Sequence, residues 1–449
     1  MANVVKLKKG LDINLAGEAE KKRICLKPNG KYMLQLDDFV GVTPKVVVKP
    51  GEKVKAGDVL FINKEYPEVK FSSPVSGIVT EVLRGERRKV IGIGINADAV
   101  QNYVDFERKD VRSLDAEAVI AALLEAGLFG YINQLPYAVS ANPRTRPKAI
   151  FVSALRDMPL ACDFEFELEG QENDFQAGLT ALSKIAKTYL GIGRRQSSGA
   201  LIGATDVEVT VFDGPCPAGN VGVHVNHLCP VNKGETVWTV EPTAVIFFGR
   251  LFNTGCVDLR RTVAFAGSEV AKPAYVDMLV GQELATLLSN SIKNDHKVRI
   301  INGNVLTGRP TTKNGYLGAH TSEITVIPEG DNADEFAGWI MPRFGQFSVN
   351  RSYFSWLFGK RKYALDARVK GGERHMIMSG EYDRVFPMDI YPEYLIKAII
   401  SGDIDKMEQL GIYEVSPEDF ALAEFVDSSK LELQRIVRSG LDLLRKENA

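Results

Sequence analysis

Two stretches near the start of the chain, residues 48–61 and 71–82, constrain its fold more than any other feature. In the first, Val48, Val54, Val59 and Phe61 are punctuated by the turn signals Pro50-Gly51 and Ala56-Gly57, a pattern of short strands broken by tight turns. In the second, Ile78, Thr80 and Val82 alternate with Val79, Glu81 and Leu83, so one side can face a core. Gly51, Gly57 and Gly77 tolerate positive φ, and Pro74 suits an edge or turn that needs no ladder N–H. The pattern predicts two small sheets linked by hairpins.

The pair resembles the biotinyl/lipoyl-carrier fold, with half-motifs like V-x-x-G-x-x-V-x-x-G-x-x-L and A-P-x-x-G-x-V. A carrier holds its cofactor on a lysine at the hairpin between the halves. Lys64 lies in that interval, 62–68, but its flanks and its distance from Pro74 do not fit, so it reads as a solvated hairpin lysine. The resemblance therefore implies a carrier-like scaffold without the carrier's chemistry.

At 449 residues the chain is too long for one ordinary core, and two to four domains are expected. A formal net charge of −2 supplies no basic field for nucleic acid, and none is expected as a partner. The first nine residues lack the apolar core of a signal peptide, and the longest apolar candidate, 244–249, is stopped by Arg250. Both point to a cytoplasmic or peripheral protein without a transmembrane segment. Cys25, Cys162, Cys216, Cys229 and Cys256 are odd in number and scattered, which argues against a disulfide framework.

Residues 1–110 are strand-rich, with 6–15 and 32–36 expected as the outer strands of the carrier-like unit and 84–89 as a basic, solvated hairpin tip. A helix is expected over 113–127, capped by Ser113 and ended by Gly127. The following stretch, 128–137, sets Phe129, Tyr131 and Tyr137 around Gly130 and Pro136 and reads as an apolar loop that plugs a groove or lines a pocket. Residues 149–155 suit a buried parallel strand, 173–190 a helix and 208–212 a strand, which together predict an α/β unit over 111–255. Gly191, Gly193 and Gln196 only approximate a dinucleotide fingerprint: Gln196 replaces the third glycine, and the motif is expected to follow a helix. His224, His227 and Cys229 crowd one segment with no second ligand pair facing them, so a Pro/Gly loop with hydrogen-bonded histidines is expected there, and no metal.

A strand and turn at 263–273, a helix at 282–289 and strands at 298–303 and 323–327 suit a β-grasp within a unit over 256–335, similar to the soluble-ligand-binding β-grasp (SLBB) module. Residues 336–449 are expected to be mainly helical, with amphipathic helices at 392–401 and 431–444. Within this unit Tyr353, Phe354, Trp356 and Phe358 couple to Arg351, Lys360, Arg361 and Lys362, a pairing that suits either packing on the domain itself or contact with a membrane surface or membrane subunit. The fold class expected is thus α+β and multidomain: a carrier-like sandwich, a Rossmann-like α/β domain, an SLBB β-grasp and a C-terminal helical domain.

Taken together, the chain resembles the A-type subunits of the bacterial Na+-translocating NADH:quinone reductases. The resemblance rests on residues 8–12, the carrier-like pair, 212–215 with 217–219, 302–308, 347–352 and 386–392, in this order. It extends to the C-type subunits of the Rnf ferredoxin:NAD+ reductases, which carry two four-cysteine iron–sulfur motifs. This chain has no C-x-x-C, but residues 423–430 resemble a ferredoxin-type C-x-x-x-C-P-x-K segment, with Ala423 and Asp427 in place of the cysteines and Ser428 in place of the proline.

The resemblance implies a peripheral subunit on the cytoplasmic face of the bacterial inner membrane, within a six-subunit complex related in architecture to the NADH-binding subunit of complex I. It implies electron transfer from NADH to quinone coupled to Na+ export. It also implies no cofactor bound by this subunit: NADH, flavins, iron–sulfur centres and Na+ are handled by other subunits, and quinone is the substrate. The implied partners are those subunits, chiefly a membrane subunit. Two stretches match the parts of the family linked to quinone, 36–42 and 129–137, and the residues they nominate are Phe39, Val40, Phe129, Tyr131, Leu135, Pro136 and Tyr137, with Asn133 or Gln134 as a hydrogen-bond donor. Relatives tend to carry arginines near Gln134 and Leu135, and this chain has none there. No catalytic or metal-binding residue is nominated. A docking scaffold without a quinone site predicts the same apolar loops, and an Rnf-like electron-transfer subunit that has lost its clusters also stays open. An independent flavin or NAD enzyme is disfavoured by the missing glycine-rich loop.

Overall fold

The computed structural model describes residues 3–26, 30–289, 291–293, 297–331, 341–359 and 361–448. Lys360 of the aromatic–basic cluster, and 332–340 at the expected junction of the third and fourth units, lie outside them.

The first three strands enter three different sheets. Asn3–Lys6 pairs in parallel with Glu208–Asp213, Glu20–Cys25 in parallel with Ala274–Leu279, and Lys31–Gln35 antiparallel with Val90–Ala97. The outer strand expected over 6–15 is therefore not part of the carrier-like unit. Its backbone groups go elsewhere: Gly10 N–H donates to Arg384 O and Leu11 N–H to Cys216 O. Its apolar side chains, Leu7, Ile13 and Leu15, join the core of the C-terminal helices. Alternation alone could not tell an arm claimed by a remote core from a local strand.

The carrier-like unit consists of two small antiparallel sheets. One orders Lys31–Gln35, Val90–Ala97, Gly77–Arg84 and Lys53–Val54; the other orders Pro44–Val46, Val59–Asn63 and Lys70–Ser72. Between them Phe61 and Phe71 stack with centroids 4.2 Å apart. Gly51 and Gly57 have positive φ, as expected, but Gly77 does not; a Cβ there would lie 2.1 Å from Asn96 O, so it serves close strand approach instead. Lys64 is exposed.

The α/β unit is a seven-stranded sheet. Five strands run parallel in the order Asn3–Lys6, Glu208–Asp213, Thr188–Gly193, Ile150–Ser153 and Val237–Val240. Ile132–Leu135 and Val139–Ser140 extend it antiparallel. The stretch expected as an irregular loop thus becomes a short 3-10 turn, Phe129–Tyr131, followed by a strand. Helix Ala116–Glu125 is capped by Asp115, whose carboxylate accepts from Ala118 N–H at 2.9 Å; Ser113 instead closes a preceding turn on Asp110 O. The helix expected to reach residue 190 is Glu172–Ile185, because the β-prone run after it forms Thr188–Gly193. Gly191 and Gly193 therefore sit on a strand and not behind a helix. Gln196 then folds back, its amide accepting from Gly193 N–H and donating to Ala154 O.

The third unit is one mixed sheet, called the third sheet, that orders Arg309–Thr311, Val298–Asn302, Glu323–Pro328, Arg260–Ala266, Ala274–Leu279 and Glu20–Cys25. Glu323–Pro328 runs parallel to Arg260–Ala266 and antiparallel to Val298–Asn302. The helix expected over 282–289 is the single turn Ala285–Leu288. Among the described residues of the C-terminal part, α-helices begin at Tyr382–Val385; before it, 341–359 and 361–381 are irregular apart from the 3-10 turn Phe354–Phe358. Pro392–Ser401 and Leu433–Glu447 appear close to their expected places.

These units share walls. Ser72 Oγ donates to Ala126 O at 2.6 Å, and one apolar cluster runs from Phe61, Phe71 and Ile95 through Leu123 and Phe129 to Trp238 and Phe247. The last helix, Leu433–Glu447, is a latch across three units: Arg445 reaches Gly41 O and Glu65, Arg438 reaches Tyr137 O and Ala138 O, and Gln434 reaches Leu306 O.

Candidate functional site

Parallel strands leave a crevice at their carboxyl ends where the strand order reverses. Here that point lies between Ile150–Ser153 and Val237–Val240, since the chain proceeds from the first strand to one side and places the second on the other. A cavity of about 680 Å³ occupies it. All four parts of the chain line it: Asp38 and Val40 from the first sheets, Asn133, Leu135, Arg156, Asp157 and Glu241 from the α/β unit, Asn304, Arg309 and His320 from the third sheet, and Glu418 and Arg438 from the C-terminal helices.

One ion pair faces it. His320 Nδ1 lies 3.1 Å from Glu241 Oε1, and Arg261 Nη2 lies 3.8 Å from the other oxygen. Burial works against charge on His320, but the Glu241 carboxylate more than offsets it and holds the imidazole above its ordinary pKa. Burial would likewise raise Glu241; the charges of His320, Arg261 and Arg156 outweigh it and keep the carboxyl low. Asp157 accepts from Gly219 N–H at 2.9 Å, and burial nonetheless pushes it up to about 6. Deeper in, Arg156 donates to Glu167 at 2.6 Å and to Thr243 Oγ1 at 2.7 Å.

The nominated residues divide between the wall of this cavity and the core behind it. Val40 and Leu135 line it, as does Asn133. Phe39 and Tyr131 do not; they are buried behind it, their rings packed against each other at 5.5 Å and against His320 at 5.6 and 5.5 Å. Phe129 is fully buried edge-on against Trp238. Pro136 is buried, and Tyr137, partly exposed, gives its carbonyl to Arg438. Gln134 accepts from Asn142 N–H within its own turn. The aromatic stretch thus fills space and supports a cavity-lining histidine. The charged residues of the cavity are not legible in the sequence, because they come from four separate parts of the chain; only the strand ends at Ser153 and Val240 give a local signal.

The expected Pro/Gly loop around His224 is instead the helix Val221–Leu228, where Val221, Val225 and Leu228 form one apolar face. His224 is 1% exposed, hydrogen-bonded through Nε2 to Ala218 O at 2.8 Å and stacked on Phe212 at 3.7 Å. His227 bonds Val223 O. Among the described residues no group of three or more His, Cys, Asp or Glu could hold a metal ion. Burial lowers the His224 pKa to about 3. Its neutral form therefore contributes stability that is fully present above about pH 6.5 and lost as the pH falls toward the folded value. Between pH 7 and pH 5 we expect this one group to cost up to about 1.4 kcal/mol of stability per pH unit below 6.5. Thermal unfolding of the chain and of His224→Leu at both pH values checks it: the variant should lose less on acidification.

No helix of the described residues is long and apolar enough to cross a membrane. Three family models match along the chain: the NqrA N-terminal barrel-sandwich hybrid domain over 5–98, the NqrA second alpha/beta domain over 114–257, and the NQRA C-terminal domain over 262–313. The A-type subunit of the Na(+)-translocating NADH-quinone reductase of Vibrio anguillarum is 35% identical over 447 residues, covering 99% of this chain and all of that protein. That of Photorhabdus laumondii is 34% identical over 450 residues with the same coverage, and that of Haemophilus influenzae matches equally well. End-to-end identity at this level, with the three domain models in chain order, places the chain in the NqrA family, the A-type subunits of the Na+-translocating NADH-quinone reductase, an oxidoreductase complex.

Proposed function

We propose that this chain is a peripheral subunit on the cytoplasmic face of the membrane that contributes a quinone-head site, while NADH, flavins, iron–sulfur centres and Na+ are handled by other subunits of the complex. The observation that carries the reading is the cavity wall itself: Val40 and Leu135 flank it, and the Glu241–His320 pair faces it with Phe39 and Tyr131 behind the imidazole. A quinone needs apolar contact and a few fixed polar groups. Leu135, Val40 and Leu155 offer the first; Asn133 and His320 offer polar groups to a carbonyl oxygen. Reduction of a quinone to a quinol takes up two protons with two electrons, and an imidazole whose pKa is raised by a carboxylate is suited to supply one of them. We read the third sheet as a β-grasp of the SLBB kind, the parallel sheet as Rossmann-like, and the C-terminal helices as a degenerate ferredoxin-like unit. In place of a cluster ligand, Asp427 is fully buried and accepts from the N–H groups of Ser429 and Leu431, which supports that last reading.

Titration of the purified chain with a short-chain quinone, followed by calorimetry, tests the site. Saturable binding is expected, weakened at least about tenfold by Val40→Asp, which would set an unpaired charge against the head group. Affinity should fall as the pH rises through the raised His320 pKa, and His320→Gln should remove that dependence. Absence of saturable binding, or binding indifferent to both substitutions, would leave the scaffold reading in its place.

A further inference from the structure

Residues 341–359 and 361–362 form a segment whose two sides differ. Its inward side is anchored: Phe347 packs edge-on against Tyr363 at 5.6 Å and tilted against Phe425 at 6.0 Å, Ser355 is fully buried, and Tyr363 exchanges backbone hydrogen bonds with Asn14 and Ala16. Its outward side carries Phe344, Phe354, Trp356, Leu357 and Phe358, each between 44% and 59% exposed. Large apolar groups gathered this way on a surface mark an interaction site more often than chance exposure. Phe344 lies 6.2 Å from Phe354 and 5.7 Å from Phe358, so the rings are one patch.

Charge identifies the partner. From 341 to 362 the sequence has no Asp or Glu, yet it carries Arg343, Arg351, Arg361 and Lys362. Arg351 lies over the Trp356 ring at 5.2 Å and Arg361 over the Phe358 ring at 6.0 Å, so guanidinium groups are held at the level of the exposed rings. Lys362 is paired with Glu18 at 2.8 Å, but Trp and Phe at the depth of the headgroups with Arg351 and Arg361 over their rings are the chemistry of an anionic bilayer surface. A protein groove would more often set acidic residues among the basic ones. We infer that this aromatic–arginine patch seats directly on anionic lipid, with Trp356, Leu357 and Phe358 reaching the boundary between headgroups and acyl chains. The inference rests on the peripheral placement proposed above but not on the quinone site.

Vesicle flotation with the purified full chain tests it first. Binding to vesicles of mixed phosphatidylcholine and phosphatidylglycerol should exceed binding to phosphatidylcholine alone at least about tenfold and should weaken with salt. Trp356→Ser with Phe358→Ser, and separately Arg351→Glu with Arg361→Glu, should each reduce it by a similar factor at an unchanged thermal midpoint. A photo-crosslinking phenylalanine analogue at position 357, in membranes carrying the whole complex, should then form a lipid adduct. No binding to the mixed vesicles, binding untouched by either pair of substitutions, or an adduct to another protein of the complex would each overturn the inference. Quinone titration can fail while vesicle binding persists, so the two readings fall separately.

Discussion

Gly249→Ala is expected to destabilise the protein by about 2–3 kcal/mol, although alanine is the better helix former by about 1 kcal/mol. Gly249 lies on helix Pro242–Thr254 where it crosses Glu172–Ile185, and a Cβ there would stand 1.7 Å from Asp174 O. Gly178 on the other helix makes the reciprocal approach, with a Cβ 2.0 Å from Val245 O. Both obstacles are backbone atoms and cannot rotate aside, so the helices would have to part along their shared face. The Asn253–Asp174 and Arg250–Gln171 hydrogen bonds at the same crossing would stretch with them. Gly199→Ala, where nothing lies within 4 Å and φ is ordinary, is the control and should be neutral or slightly stabilising. Hydrogen exchange in the two helices reads the difference without assuming that a multidomain chain unfolds in one step.

Glu167→Ala is expected to cost more, about 3–5 kcal/mol, because it strands a charge. Glu167 is fully buried; it accepts from Arg156 at 2.6 Å and from Thr243 Oγ1 at 2.8 Å, while the Arg156 side chain is only 13% exposed. Burial works against charge on Arg156, yet its pKa is raised, chiefly by Glu167. Removing the carboxylate leaves the guanidinium without that compensation. Arg156→Met combined with Glu167→Leu should recover most of the loss, since paired apolar replacements can be nearly neutral where a single deletion is severe. Denaturation of the two single variants and the double variant gives the coupling directly. A double-variant loss equal to the sum of the two single losses would show that the pair does not act as a unit.

How much of this is legible in the sequence varies with the range of the forces involved. The hairpin sheets at 44–97, the parallel strand at 150–153 and the helix at 392–401 follow from local pattern, because turn residues and apolar periodicity act over a few residues. The helix start near 116 differs from its expected place by two or three positions because Ser113 and Asp115 are both good caps and only one can bind the free N–H groups. The strand at 132–135 escapes a local reading because its pairing partner, Val237–Val240, lies a hundred residues away. Asp38, Arg156, Glu241 and His320 share the cavity only through tertiary folding, so no spacing in the chain could announce them. Of the nominated residues, Val40, Asn133 and Leu135 reach the cavity, while Phe39 and Tyr131 sit behind it.

The distribution of the first three strands among three sheets has a consequence for synthesis on the ribosome. Asn3 waits for Thr210, and Glu20 waits for Ala274, so these strands emerge long before their partners. With roughly 200 residues still to be made at about 5–20 residues per second, the arm stays unpaired for about 10–40 s. During that time Val4, Val5 and Leu7 are open to a holding chaperone. A fragment ending before Thr210 could therefore complete the hairpin sheets but never pair the strand Asn3–Lys6, and nascent chains stalled on either side of that point should differ in how readily a protease cuts at that strand.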